Sequence, residues 1–155
     1  MFLAIDPGET KCGWALFDDE GRVVDRGIWP RANLTERLAA YAADGRVEFI
    51  VLGDRTGHRS LLRELGEMAV WRGRIRLVDE DHSSEEARRR CVLETTRGWK
   101  RLLPPSLRYP SRPYDDYVAV ILGERYLRSL GKKTSSSEEV RTAGQERGPQ
   151  AENFR

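Results

Sequence analysis

Residues 2–29 read FLAIDPGETKCGWALFDDEGRVVDRGIW, and the fold turns on how this stretch is divided. Three runs rich in aliphatic, β-branched or aromatic residues, FLAID (2–6), CGWALFDD (12–19) and GRVVDRGIW (21–29), are separated only by PGETK and DEG. Turn chemistry of this kind between short apolar runs predicts three successive antiparallel strands, a meander. The first run ends in Asp6-Pro7-Gly8. Proline cannot continue a ladder and glycine permits a sharp turn, so the Asp6 carboxylate is aimed out of a sheet edge.

Outward from the meander the periodicity changes. Asn33 or Thr35 can cap a helix through about Ala43, with Leu34, Leu38 and Tyr41 at helical spacing, and VEFIVLG (47–53) then supplies a buried strand. HRSLLRELGEMAVW (58–71) sets Leu61, Leu62, Leu65, Met68 and Ala69 on one helical face, and RIRLVDE (74–80) is a fifth strand reached by a crossover. SSEEARRRCVLE (83–94) opens as a helix, with Ser83 or Ser84 as its cap and glutamates in its first turn. Residues 95–113 hold four prolines and little periodicity, which predicts a long loop. YDDYVAVILGERYLRSL (114–130) follows as a helix with Val118, Ile121 and Leu122 on one face. The order specifies a mixed α/β domain over residues 1–130. It resembles the ribonuclease-H-like layout, a mixed five-stranded sheet (three antiparallel strands, then αβαβ) with helices on both faces. Residues 131–155 are polar and almost free of large apolar groups, so a disordered tail is expected there.

At 155 residues the chain can bury a core without disulfides or metals to hold it together. Charged residues make up 34% of it but the net charge is only +2, so an anionic partner must be met by a local patch. Cys12 and Cys91 lack CxxC spacing and sit in apolar segments, which predicts reduced core residues. The opening Met-Phe-Leu-Ala-Ile has no basic flank, and no apolar run approaches the roughly 18 to 20 residues that span a bilayer. A cytoplasmic protein with no membrane partner is expected.

Four acidic positions stand where a predicted element ends or begins: Asp6, Asp54, Glu80 (between Asp79 and Asp81), and Asp115 or Asp116. With the first strand central and the fourth and fifth parallel to it, their C-terminal ends fall on one edge of the sheet. Carboxylates crowded there raise one another's pKa unless a cation neutralises them. Hard oxygen donors in an open cluster suit Mg²⁺ or Mn²⁺. Two such ions about 3.5 to 4 Å apart can activate a water and stabilise a departing phosphodiester oxygen. Asp6, Asp54, Glu80, Asp115 and Asp116 are therefore the candidate ligands, with Asp6 bridging. Each acid alone also fits a turn or a helix start; their coincidence at one edge carries the reading.

The same segments resemble the YqgF/RuvX family, ribonuclease-H-like nucleases described as Holliday junction resolvases and as nucleases that mature pre-16S ribosomal RNA. AIDPGETKCGWALFDDEG is similar to that family's first motif, and IVLGDRTGHRS to its strand-plus-glycine motif in the form carried by the transcription accessory factor Tex. VDEDHSSEEARRR resembles the family's DERLTTVEAERR, and YDDYVAVILGERYL its terminal DSLAAALILQDYL helix. The likeness covers roughly residues 2 to 129. It implies catalysis by Asp6, Glu80 and Asp115 around divalent metal. Asp54 departs from the family, standing where the more distant resolvase RuvC carries a catalytic glutamate, and Asp81 replaces an arginine.

Between Arg88 and Arg112 eight Lys or Arg residues face one acid, Glu94, with Trp99, Tyr109 and Tyr114 interleaved. Basic groups for phosphates with aromatic faces for unpaired bases suit a single strand or a splayed junction. Arg55, Arg89, Arg90, Arg97, Trp99, Lys100, Arg101, Arg108 and Arg112 are the candidate nucleic-acid contacts. The expected function is a metal-dependent nuclease, acting on RNA such as the 5′ end of pre-16S rRNA or on branched DNA, as a monomer or homodimer. The alternative is a non-catalytic nucleic-acid-binding module of the same fold. A relative of the sugar or acetate kinases is disfavoured, since the chain has one such domain and no second phosphate loop.

Overall fold

The computed structural model describes residues 1–54, 58–96, 110 and 112–143, with side chains as far as residue 131. Five strands form one sheet: β1 (Phe2–Pro7), β2 (Lys11–Phe17), β3 (Val23–Pro30), β4 (Phe49–Gly53) and β5 (Ile75–Val78). Their order is β3-β2-β1-β4-β5. β1 pairs antiparallel with β2, and β2 with β3. β4 lies parallel to β1 and β5 parallel to β4. The meander and the central position of β1 are as the sequence predicts.

Helices α1 (Leu34–Asp44), α2 (His58–Glu67), α3 (Ser83–Thr95) and α4 (Asp115–Ala143) complete the order. Strand alternation sorts the core into two layers. Leu3, Ile5, Ile50 and Leu52 face α1 and α2 in a cluster with Leu34, Leu38, Leu61, Leu65 and Trp71. Phe2, Ala4 and Val51 face α4 in a cluster with Ala119 and Val120. Helices therefore cover both faces. α3 packs on α4 through Ala87 and Cys91 against Val118, Ile121 and Leu122, the helical face expected from their spacing. α4 approaches the sheet closely because Gly123 carries no side chain: a Cβ there would lie 2.2 Å from the Phe17 ring.

Several local expectations are corrected. Asn33 is the N-cap of α1, one of the two residues expected there, but its side chain makes no cap bond, and the residues before the helix form a 3-10 turn, Arg31–Asn33. α2 stops at Glu67; Met68 turns extended and Ala69–Trp71 is a separate 3-10 turn, which sends Trp71 into the core. At α3 the cap residue is His82, in the left-handed region at φ 57°, while Ser83 is the first helical residue and fully buried. α4 continues to Ala143, so residue 131, expected to begin a disordered tail, lies inside helix; 144–155 lie outside the described residues. Both cysteines are free and buried. Among the described residues no helix is long and apolar enough to cross a membrane.

Candidate active site: a carboxylate cluster at the strand ends

Asp6 follows Ala4 by two residues on β1 and shares its face, the one covered by α4. Its partner across the ladder is Gly13. A Cβ on Gly13 would sit 1.9 Å from the Asp115 carbonyl oxygen, so a bare strand position is what lets the first turn of α4 rest beside Asp6. On the other side, Gly53 stands one residue past the Ile5–Leu52 pair, and a Cβ there would sit 2.7 Å from Glu80 Oε2. Two glycines thus make room for two acids flanking a third.

The electrostatics follow from that crowding. The Asp6 carboxyl is pushed up to about 7, first by burial, then by the charges of Glu80 and Asp115 and by a hydrogen bond to Glu80; Lys11 opposes the shift. Protonated Asp6 donates that bond. Lys11, the first residue of β2, lies two positions from Gly13 and so on the same face, and its Nζ donates to Asp115 Oδ2 at 2.7 Å. The acids therefore form two couples, Asp6 with Glu80 and Asp115 with Lys11.

Glu80 is held by its neighbours. Its backbone N–H donates to Asp54 Oδ1 at 3.1 Å, and its carbonyl accepts from the Ser83 N–H at 2.9 Å. Arg125 Nη1 donates to the carbonyls of Asp79 and Asp81, at 3.0 and 2.7 Å, and Nη2 reaches Glu86. Asp54 is thus bonded to the Glu80 backbone at the edge of the cluster. Asp116 does not join it: the carboxylate is buried and ion-paired with Arg112 at 3.0 Å and Arg26 at 3.6 Å. Arg26 also lies over the Tyr117 ring, whose hydroxyl donates to Glu94 at 2.9 Å.

The expected nucleic-acid contacts divide three ways. Arg89 is exposed on α3. Arg90 bonds Glu94 and Glu124, and Arg112 bonds Asp116, so both are tied into the fold. Arg55, Arg97, Trp99, Lys100, Arg101 and Arg108 lie outside the described residues, as does Tyr109.

Sequence reasoning placed Asp6, Glu80 and Asp115 together but missed Lys11 and Arg125. A basic residue five positions after Asp6 is visible in the sequence; that it reaches Asp115, 104 residues away, is not. Among the described residues no three His, Cys, Asp or Glu side chains are spaced to hold one metal ion. The donor chemistry of Asp6 and Glu80 nevertheless fits Mg²⁺ or Mn²⁺, which take one or two carboxylates and complete their shell with water and phosphate. No family model and no curated protein matches the chain.

Proposed function

We propose that the chain is a divalent-metal-dependent nuclease of ribonuclease-H-like fold that hydrolyses phosphodiester bonds in RNA or branched DNA. The observation that carries this is Asp6, half-buried between Glu80 and Asp115 with its carboxyl pushed up to about 7. An acid perturbed by others converging at the C-terminal ends of parallel strands supports a site built for chemistry, since an inert fold gains nothing from the repulsion. The strand order, with an antiparallel meander leading into two parallel strands, supports the fold assignment.

In this reading Asp6 and Glu80 would hold Mg²⁺ or Mn²⁺, which would supply Lewis-acid stabilisation of phosphate charge and a nucleophilic water. Asp6 would have to be ionised, as Glu80 is, to serve as a ligand. Asp54 and Arg125 fix the backbone around Glu80, and Gly53 leaves its carboxylate room. Arg89, with the basic residues of the 97–108 segment, supplies the phosphate contacts.

Cleavage of end-labelled single-stranded RNA, a precursor-rRNA fragment and a four-way DNA junction, with Mn²⁺, Mg²⁺ or EDTA, tests the proposal. Metal-dependent cutting lost in Asp6→Asn is expected. Tight binding without cutting on all three substrates favours the non-catalytic module, a reading to which Asp81, where the nucleases the chain resembles carry arginine, lends support.

A further inference from the structure

We propose that Lys11 stands in the place of a second metal ion: the cluster takes a single divalent cation on Asp6 and Glu80, while the Lys11 ammonium stays on Asp115 and meets the same phosphate. This rests on the nuclease reading and specifies its metal content. The side chain comes from a strand rather than a loop. Lys11 pairs with Pro30 in the β2–β3 ladder, and the adjacent Thr10 carbonyl accepts from the Arg31 N–H at 2.9 Å, so the root of the side chain is fixed. Its ammonium is 2.7 Å from Asp115 Oδ2. The Lys11 side chain is 44% exposed and that of Asp115 25%, so the ion pair is open to a substrate.

Charge and coordination agree. Lys11 already supplies one positive charge to Asp115, the charge a second dication would otherwise bring to that carboxylate. With Asp115 engaged by Lys11, Asp6 and Glu80, bonded to each other, are the two carboxylates left for an ion. Two suffice for Mg²⁺ or Mn²⁺ that keeps several waters. An ammonium is a compact point charge suited to a phosphate oxygen.

The test is Mn²⁺ titration of the full chain by calorimetry and electron paramagnetic resonance, in wild type, Lys11→Gln and Lys11→Arg. One Mn²⁺ per chain with an uncoupled spectrum is expected for wild type and Lys11→Arg. Lys11→Gln should take two, with the spectrum of an exchange-coupled pair. Two ions in wild type overturn the proposal and leave the nuclease reading standing, as does one ion of equal affinity in wild type and Lys11→Gln. No Mn²⁺ bound by any of the three overturns both. Coincident melting curves for the three chains show that the substitutions at this half-exposed position leave the fold intact.

Discussion

The backbone N–H of Glu80 donates to Asp54 Oδ1 at 3.1 Å, so the residue just after β4 fixes the backbone two residues past β5. One carboxylate of the cluster is thereby positioned through its backbone by another acid. Asp54→Asn keeps an oxygen acceptor and Asp54→Ala does not. The alanine variant is expected to lose about 1 kcal/mol of stability in urea unfolding, with the asparagine variant close to wild type. Both should retain wild-type Mn²⁺ affinity; a tenfold loss in Asp54→Asn would make Asp54 a ligand instead.

Asp6 sets a pH dependence whose sign can be worked out. Its carboxyl lies at about 7 in the fold against an ordinary value of 3.8. Between those values the native state binds the extra proton, so its contribution to stability falls as pH rises through the window. Asp6→Asn abolishes that fall. In EDTA the variant should match wild type near pH 4 and exceed it at pH 8 by about 2–4 kcal/mol. Urea midpoints at both pH values check this, and equal stability at pH 8 would show that Asp6 is not held against ionisation.

Gly13 and Gly66 are a matched pair. A Cβ on Gly13 meets the backbone of Asp115, which cannot swing aside, whereas a Cβ on Gly66 in α2 has nothing within 4 Å. Gly13→Ala is expected to cost about 2–3 kcal/mol by forcing α4 off the sheet. Gly66→Ala should stabilise by up to ~1 kcal/mol through its helix propensity. Denaturant midpoints distinguish the two.

Asp115 and Asp116 are neighbours with opposite fates. Asp116→Ala leaves Arg112 and Arg26 without the buried carboxylate between them and should cost about 2–3 kcal/mol. Its Mn²⁺ stoichiometry should stay that of wild type, because its side chain is committed to the two arginines. A change in metal content would contradict that separation.

Arg125 bridges two carbonyls around Glu80, a geometry a forked guanidinium can satisfy and an ammonium cannot reproduce. Arg125→Lys is expected to raise amide exchange at residues 79–83 by about tenfold, corresponding to ~1.4 kcal/mol of local opening. Unchanged exchange would show that the loop is held by other bonds.

The strands were legible because each is a short apolar run between turn residues, and the edge acids were legible because chain direction puts parallel strand ends together. What escaped the sequence has local and distant causes. The α3 cap went to His82 because Ser83 is drawn into the core, a choice that local propensity does not express. The break after Glu67 reflects Trp71, whose burial outweighs continuation of the helix. Asp115 and Asp116 look equivalent in the sequence, and what separates them is the partners they meet: Lys11 on β2 for Asp115, and Arg112 with Arg26, on a strand 90 residues earlier, for Asp116. Lys11 and Arg125 act through contacts that no periodicity announces.

Trp14 and Trp29 stack across β2 and β3, with ring centroids 4.6 Å apart and planes within 17° of each other. Both are buried, and the Trp14 indole nitrogen has no hydrogen-bond partner among the described residues. Two indoles held this close couple their electronic transitions, and an unsolvated indole emits at short wavelength. The coupled near-ultraviolet dichroism of this pair therefore reports whether β3 is zipped onto β2. Trp14 adjoins Gly13, the strand position opposite Asp6, so the protein carries an intrinsic optical gauge of the scaffold beneath its acids.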